Sequence, residues 1–203
     1  MLYQTENKNY TNRIVLFLTI LTLACFLLPG RCLAYSLCSY KMETSIWYKT
    51  SASFSPTTRE NMRSAMRTWN ALLPSYRRLC YSSETHTKVN YPSQDGDNLI
   101  YKTYMYKPRI LAENMAFYRN GYLIESDINI NSDQKWTNGS MSGHYDVHTV
   151  FLHELGHTVG LYHSQYRSAV MYESISSGTV KTTLTDDDKN GVAARYDILS
   201  EED

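Results

Sequence analysis

His153-Glu154-Leu155-Gly156-His157-Thr158-Val159-Gly160-Leu161-Tyr162-His163 is the stretch on which the reading of this chain turns. His153 and His157 are four residues apart, so on a helix both imidazoles leave the same face and can share one metal ion. Glu154 lies beside them, placed to take a proton from water on that ion. Gly160 can reverse the chain in a left-handed conformation, and three residues later His163 supplies a third nitrogen. Three neutral nitrogens leave one position of a tetrahedral ion open. That is the ligand count of a catalytic zinc site, whereas structural sites are closed by four protein ligands. The spacing predicts one catalytic Zn²⁺ on His153, His157 and His163, with Glu154 as general base.

Working outward, Asp146 or His148 can cap the helix that carries the first two histidines, and it should run to about Val159. Residues 132–145 are rich in Ser, Gly and Asn and read as loop. Before them, Leu99–Tyr106, Ile110–Tyr118 and Leu123–Ile130 read as strands, and Asn120-Gly121 carries the chemistry of a two-residue hairpin turn. Ile46–Lys49 reads as a strand as well. Ser55-Pro56 then opens a helix whose Met62, Ala65, Met66, Trp69, Leu72 and Leu73 recur at three- and four-residue spacing until Pro74. Near the end, Thr185 precedes Asp186-Asp187-Asp188, three carboxylates in a first helical turn. The capping reading is preferred to a calcium loop, whose spaced acidic residues and Gly are missing, so calcium is not expected.

The chain has 203 residues, with 20 Lys+Arg, 20 Asp+Glu and a pI near 7.0. That balance gives no basic footprint and argues against nucleic acid as a partner. Residues 14–28 are apolar and uncharged, Pro29-Gly30 interrupts them, and Cys32-Leu33-Ala34 has the small-x-small outline of a signal-peptidase site. The expectation is a signal peptide over 1–34 and a single secreted domain over 35–203. Membrane attachment would follow only if the N-terminal segment stayed uncleaved, as an anchor. Cleavage after Ala34 leaves Cys38 and Cys80, a candidate disulfide in an oxidising compartment, with two unpaired thiols as the alternative.

HExxHxxGxxH followed by Ala169-Val170-Met171-Tyr172 resembles the metzincin zinc endopeptidases, and Ser164 directly after the third His resembles their matrixin, or matrix metalloproteinase-like, branch. Asp127–Ile130, Lys135-Trp136-Thr137 and Leu184 through Tyr196 are similar to the flanks of that family's site. Trp69 in the first helix fits as well. The resemblance implies an α/β (α+β) fold: a twisted, mixed five-stranded sheet with one antiparallel edge strand and two long helices. A small C-terminal subdomain with a Met-turn and a C-terminal helix would follow. It implies zinc ligation by the three histidines, proton transfer by Glu154, and Met171 as a structural floor beneath the metal. It also implies a monomer that binds extended polypeptide along its edge strand, here Ile110–Tyr118.

The chain departs from the family in several places. Residues 90–130 contain no His, so no structural zinc is expected. No latency cysteine with its prodomain, and no haemopexin-like domain, is expected from these residues. Glu173 stands where the family has Pro after Met-Tyr. Two other readings stay open from residues alone: a zinc-bearing module that holds peptides without cutting them, and a hydrolase of another amide such as cell-wall peptide.

Overall fold

The computed structural model describes residues 34–90 and 92–197. The signal segment assigned to 1–34 falls outside these, Ala34 excepted. Nine strands and three helices are formed among the described residues. In chain order the strands are β1 (Ser36–Leu37), β2 (Ile46–Ser51), β3 (Leu79–His86), β4 (Asn98–Thr103), β5 (Ala112–Arg119), β6 (Tyr122–Asn131), β7 (Trp136–Thr137), β8 (Tyr145–Asp146) and β9 (Leu161–Tyr162). The helices are α1 (Pro56–Asn70), α2 (Val147–Val159) and α3 (Asp186–Tyr196).

Five strands form the main sheet in the order β3-β2-β4-β6-β5. β3, β2, β4 and β6 run parallel, and β5 closes one edge antiparallel to β6. This is the mixed sheet with one antiparallel edge that the family resemblance implied. The β5–β6 hairpin turns at Asn120 and Gly121, both with positive φ (54° and 79°), the requirement of a two-residue turn matched to strand twist.

One face of the sheet is apolar. Ile46, Tyr48, Ile100, Ile128 and Ile130 lie against Met62, Ala65, Met66 and Trp69 of α1 and Phe151, Leu152, Leu155 and Val159 of α2. Burying each aliphatic or Phe side chain contributes about 1.5–3 kcal/mol. Trp69 is fully buried and donates from Nε1 to Leu152 O at 2.8 Å, which joins the two long helices without leaving the indole N–H unpaired. The Ser55 cap is formed, its Oγ accepting from Thr58 N at 3.1 Å.

One strand was not anticipated from the sequence, and one expectation needed correction. β3 reads Leu-Cys-Tyr-Ser-Ser-Glu-Thr-His, with only its two ends buried; it is the other sheet edge and carries no alternating apolar signal. The candidate bridge is not formed, and Cys38 and Cys80 are both free thiols. Cys38 Sγ donates to Leu161 O at 3.2 Å, while Cys80 sits in β3 opposite Trp47 with Sγ toward Arg78 O. What ties the N-terminal segment is backbone pairing: β1 lies antiparallel to β9, and Cys38 N donates to Gly160 O at 2.9 Å. Arg195 adds a hydrogen bond to Cys38 O.

Candidate active site

α2 begins at Asp146, which accepts from Thr149 N at 2.9 Å and from Thr149 Oγ1 at 2.7 Å. It ends at Gly160, whose φ of 97° is left-handed and where a Cβ would meet Tyr40 O at 2.8 Å. Any other residue there is both strained and crowded. The reversal sends the chain through β9 and brings His163 back to His153 and His157. The ligand atoms of the three rings lie within 4.8 Å of one another, and among the described residues no other cluster of three metal-ligand side chains is this close. His86, His144 and His148 lie apart, with His86 turned to Ile100 O and His144 to Ser142 O.

Two of the rings are fixed by their far nitrogens. His153 Nδ1 lies 2.8 Å from Val170 O, and His157 Nδ1 lies 2.8 Å from Leu161 O. A carbonyl can only accept, so each Nδ1 carries the proton and each Nε2 keeps a lone pair for a ligand role. Burial pushes the pKa of His153 down to about 3, with His157 adding repulsion, and that of His157 down to about 4. Both rings are therefore neutral at pH 7, as metal ligation requires. The donor set fits Zn²⁺: three neutral nitrogens that converge, with no fourth ligand joining them among the described residues.

Glu154 is buried and opens on the same cavity of about 530 Å³ as the three histidines. Burial raises its pKa to about 8, and the Glu113 charge pushes it further in that direction. A bound divalent cation would oppose both effects and favour the carboxylate. The backbone of Glu154 is anchored too. Asn114 on β5 donates from Nδ2 to Glu154 O and to Thr158 Oγ1, both at 2.8 Å. Thr158 Oγ1 lies 2.8 Å from Tyr48 Oη and 3.0 Å from Ser126 Oγ. One buried network thus spaces the edge strand from the helix that carries Glu154.

The floor is built by Met171, which is buried beneath α2. A Cβ on Gly156 would meet Met171 Sδ at 2.1 Å, so glycine is needed there for the thioether to approach the helix. The Met171 loop hangs on Asp188 of α3: Val170 N and Met171 N each donate to its carboxylate at 3.0 Å. Asp188 also closes a capping box with Thr185. The structure brings the three histidines and Glu154 to one cavity and sets Met171 beneath α2; the sequence had pointed to these residues. Sequence reasoning missed Asn114, Thr158 and Gly156, and it read Asp188 only as a helix-capping acid. The alternation of β5 around Ala112, Asn114 and Ala116 was the available signal for Asn114.

β5 forms one wall of the cleft through Ala112, Glu113, Asn114 and Met115. As the last strand of the sheet it has one edge unpaired, and an extended chain can add to such an edge. The opposite wall comes from Tyr172, Glu173 and Ile175, after the Met171 loop.

The matrixin family model matches residues 38–197. Over 141 residues the chain is 30% identical to the hatching enzyme of Paracentrotus lividus, covering 68% of this chain and 22% of that protein. It is 29% identical to interstitial collagenase A of Mus musculus over 133 residues, 65% of this chain and 27% of that protein. A shorter match, 47% over 58 residues, is to metalloendoproteinase 1-MMP of Arabidopsis thaliana, covering 29% of this chain and 16% of that protein. The matches thus span about a quarter or less of those relatives. Since the family match runs over most of the chain and includes every residue of the site, the chain belongs to the matrixin family of zinc metalloendopeptidases.

Proposed function

We propose that this chain is a secreted endopeptidase that cuts extended polypeptides with one Zn²⁺ held by His153, His157 and His163. The observation that carries the reading is the convergence of those rings, within 4.8 Å, on a cavity shared with the buried Glu154 and bordered by the β5 edge. When bound, the ion acts as a Lewis acid and makes water acidic enough to lose a proton near pH 7. The chain's own groups do the rest. β5 holds the substrate backbone extended, and Glu154 Oε accepts the proton of the attacking water and returns it to the leaving amine. Val170 O and Leu161 O keep the two helix-borne rings in the ligating tautomer. Secretion rests on the signal-type segment ending at Ala34; among the described residues no helix is long and apolar enough to cross a membrane.

Glu154→Ala tests the reading. It should keep the zinc content of the parent and lose hydrolysis of a casein substrate by about 10³-fold or more. Cleavage near the parent rate would remove Glu154 from the mechanism. An intact triad with no cleavage by either protein would favour the peptide-holding module.

A further inference from the structure

Lys181 lines the same cavity as His153, Glu154 and Thr149, which is an unusual place for an ammonium. Its backbone N–H donates to Thr149 Oγ1 at 2.8 Å, and Thr149 lies on α2 four residues before His153. That bond seats the lysine against the helix that carries two of the ligands. Nζ donates to Arg167 O at 2.8 Å and to Ala169 O at 2.5 Å. An ammonium has three N–H donors; these carbonyls take two, and among the described residues no carboxylate lies within 4.0 Å of it. Burial lowers the lysine pKa, and Asp188 opposes that from beneath the Met171 loop. The Lys181 charge also reaches His153, where it is one of the influences that disfavour a protonated ring.

Other charges face the cavity. Glu173 on the opposite wall and Arg109 at the β5 end are exposed, and Glu113 is bridged to Lys107. Exposed charges are screened by water and salt within a Debye length of about 8 Å, and half-buried ones far less. Glu154 lies deeper in the same cavity and is taken up by the proton transfer proposed above; beyond it, Lys181 is the charged group that an entering side chain meets with least screening.

Resting on the endopeptidase reading above, we infer that this cavity is a specificity pocket for an acidic side chain, Asp or Glu, flanking the scissile bond, and that Lys181 selects it. The substrate carboxylate accepts the third N–H of Nζ and supplies a counter-charge at contact distance, which none of Glu113, Glu154 and Glu173 in the lining provides. The competing role for Lys181 is a brace for the Arg167–Ala169 turn. A brace affects all substrates alike, whereas a selector changes their ratio.

The test uses the zinc-loaded protein and matched peptides carrying Glu, Gln, Leu or Lys on either side of the bond, with cleavage positions read by mass spectrometry. At one flanking position the parent should favour Glu over Gln by about ten-fold in kcat/KM. Lys181→Met should bring that ratio to about one, and Lys181→Glu should turn the preference toward Lys. Lys181→Arg should keep it. The ratio is taken within one preparation, so a partly unfolded variant does not distort it. Affinity gives a second readout without turnover: in a Glu154→Gln background the Glu peptide should bind about five-fold more tightly than the Gln peptide, and Lys181→Met should erase the difference. A parent with no preference for acid on either side, or a preference that survives Lys181→Met, overturns the inference while leaving the endopeptidase reading intact. Cleavage of none of the peptides overturns both.

Discussion

The two faces of β6 both bury polar side chains, and they treat them differently. On the helix side, Ser126 joins Tyr48, Thr158 and Asn114 in a network of hydroxyls and an amide separated by 2.8–3.3 Å. On the other side, Glu125, Asp127, Asn129 and Asn131 form a buried stripe. Glu125 accepts from Asp95 N and Gly96 N, and Asn131 donates to Lys107 O and Ile110 O. Between them, Asp127 Oδ2 and Asn129 Nδ2 have no protein partner among the described residues. A buried polar group without a partner costs about 1–3 kcal/mol. The contrast separates a network that sets the distance from β5 to the helix carrying His153 and Glu154 from one that covers the back of the sheet with polar atoms left over. The first is where small changes should reach the chemistry.

Removing the hub of the helix-side network should have the largest effect. Thr158→Val keeps the volume but leaves Tyr48 Oη, Ser126 Oγ and Asn114 Nδ2 short of a partner, and should cost about 3 kcal/mol in urea unfolding. Asn114→Ala should cost about 2 kcal/mol and also lower kcat more than it raises KM, because the tie from β5 to Glu154 O is cut. An unchanged kcat would mean that the network is only structural.

The back face should respond in the opposite direction. Burial raises the Asp127 pKa from its ordinary value of 3.8 to about 7. A carboxyl with a raised folded pKa contributes stability that is fully present below about 3.8 and is lost as pH rises through about 7. Asp127→Asn should therefore be more stable than the parent at pH 8, by about 2 kcal/mol, and equal to it near pH 4. A constant difference across that range would show that the carboxyl titrates normally. Tyr48→Phe should be the mildest change, about 1 kcal/mol, since Ser126 and Thr158 still bond each other.

The same contrast explains what could be read from residues alone. The triad, Glu154 and the Gly160 reversal lie within eleven consecutive positions, and helix periodicity turns that spacing directly into geometry. α1 was legible from its apolar stripe and the β5–β6 hairpin from Asn-Gly. The long-range partners left no such trace. Asn114 and Thr158 are 44 residues apart, and Asp188 reaches the Met171 loop from 17 residues away; only tertiary packing joins them. β3 was missed because an edge strand with a polar middle lacks period-two apolarity. The Cys38–Cys80 pairing was an inference from compartment and count, and strand pairing placed the two thiols on separate carbonyls.

The proposed catalysis depends on one ion shared by three imidazoles. The direct measurement is zinc content by elemental mass spectrometry after exhaustive dialysis, for the parent and for His163→Ala, paired with peptide cleavage before and after chelation. The expected result is one zinc per chain, cleavage abolished by chelator and restored by Zn²⁺, and zinc largely lost in His163→Ala. A zinc-free parent that still cleaves, or two ions per chain with one kept by His163→Ala at full activity, would contradict it.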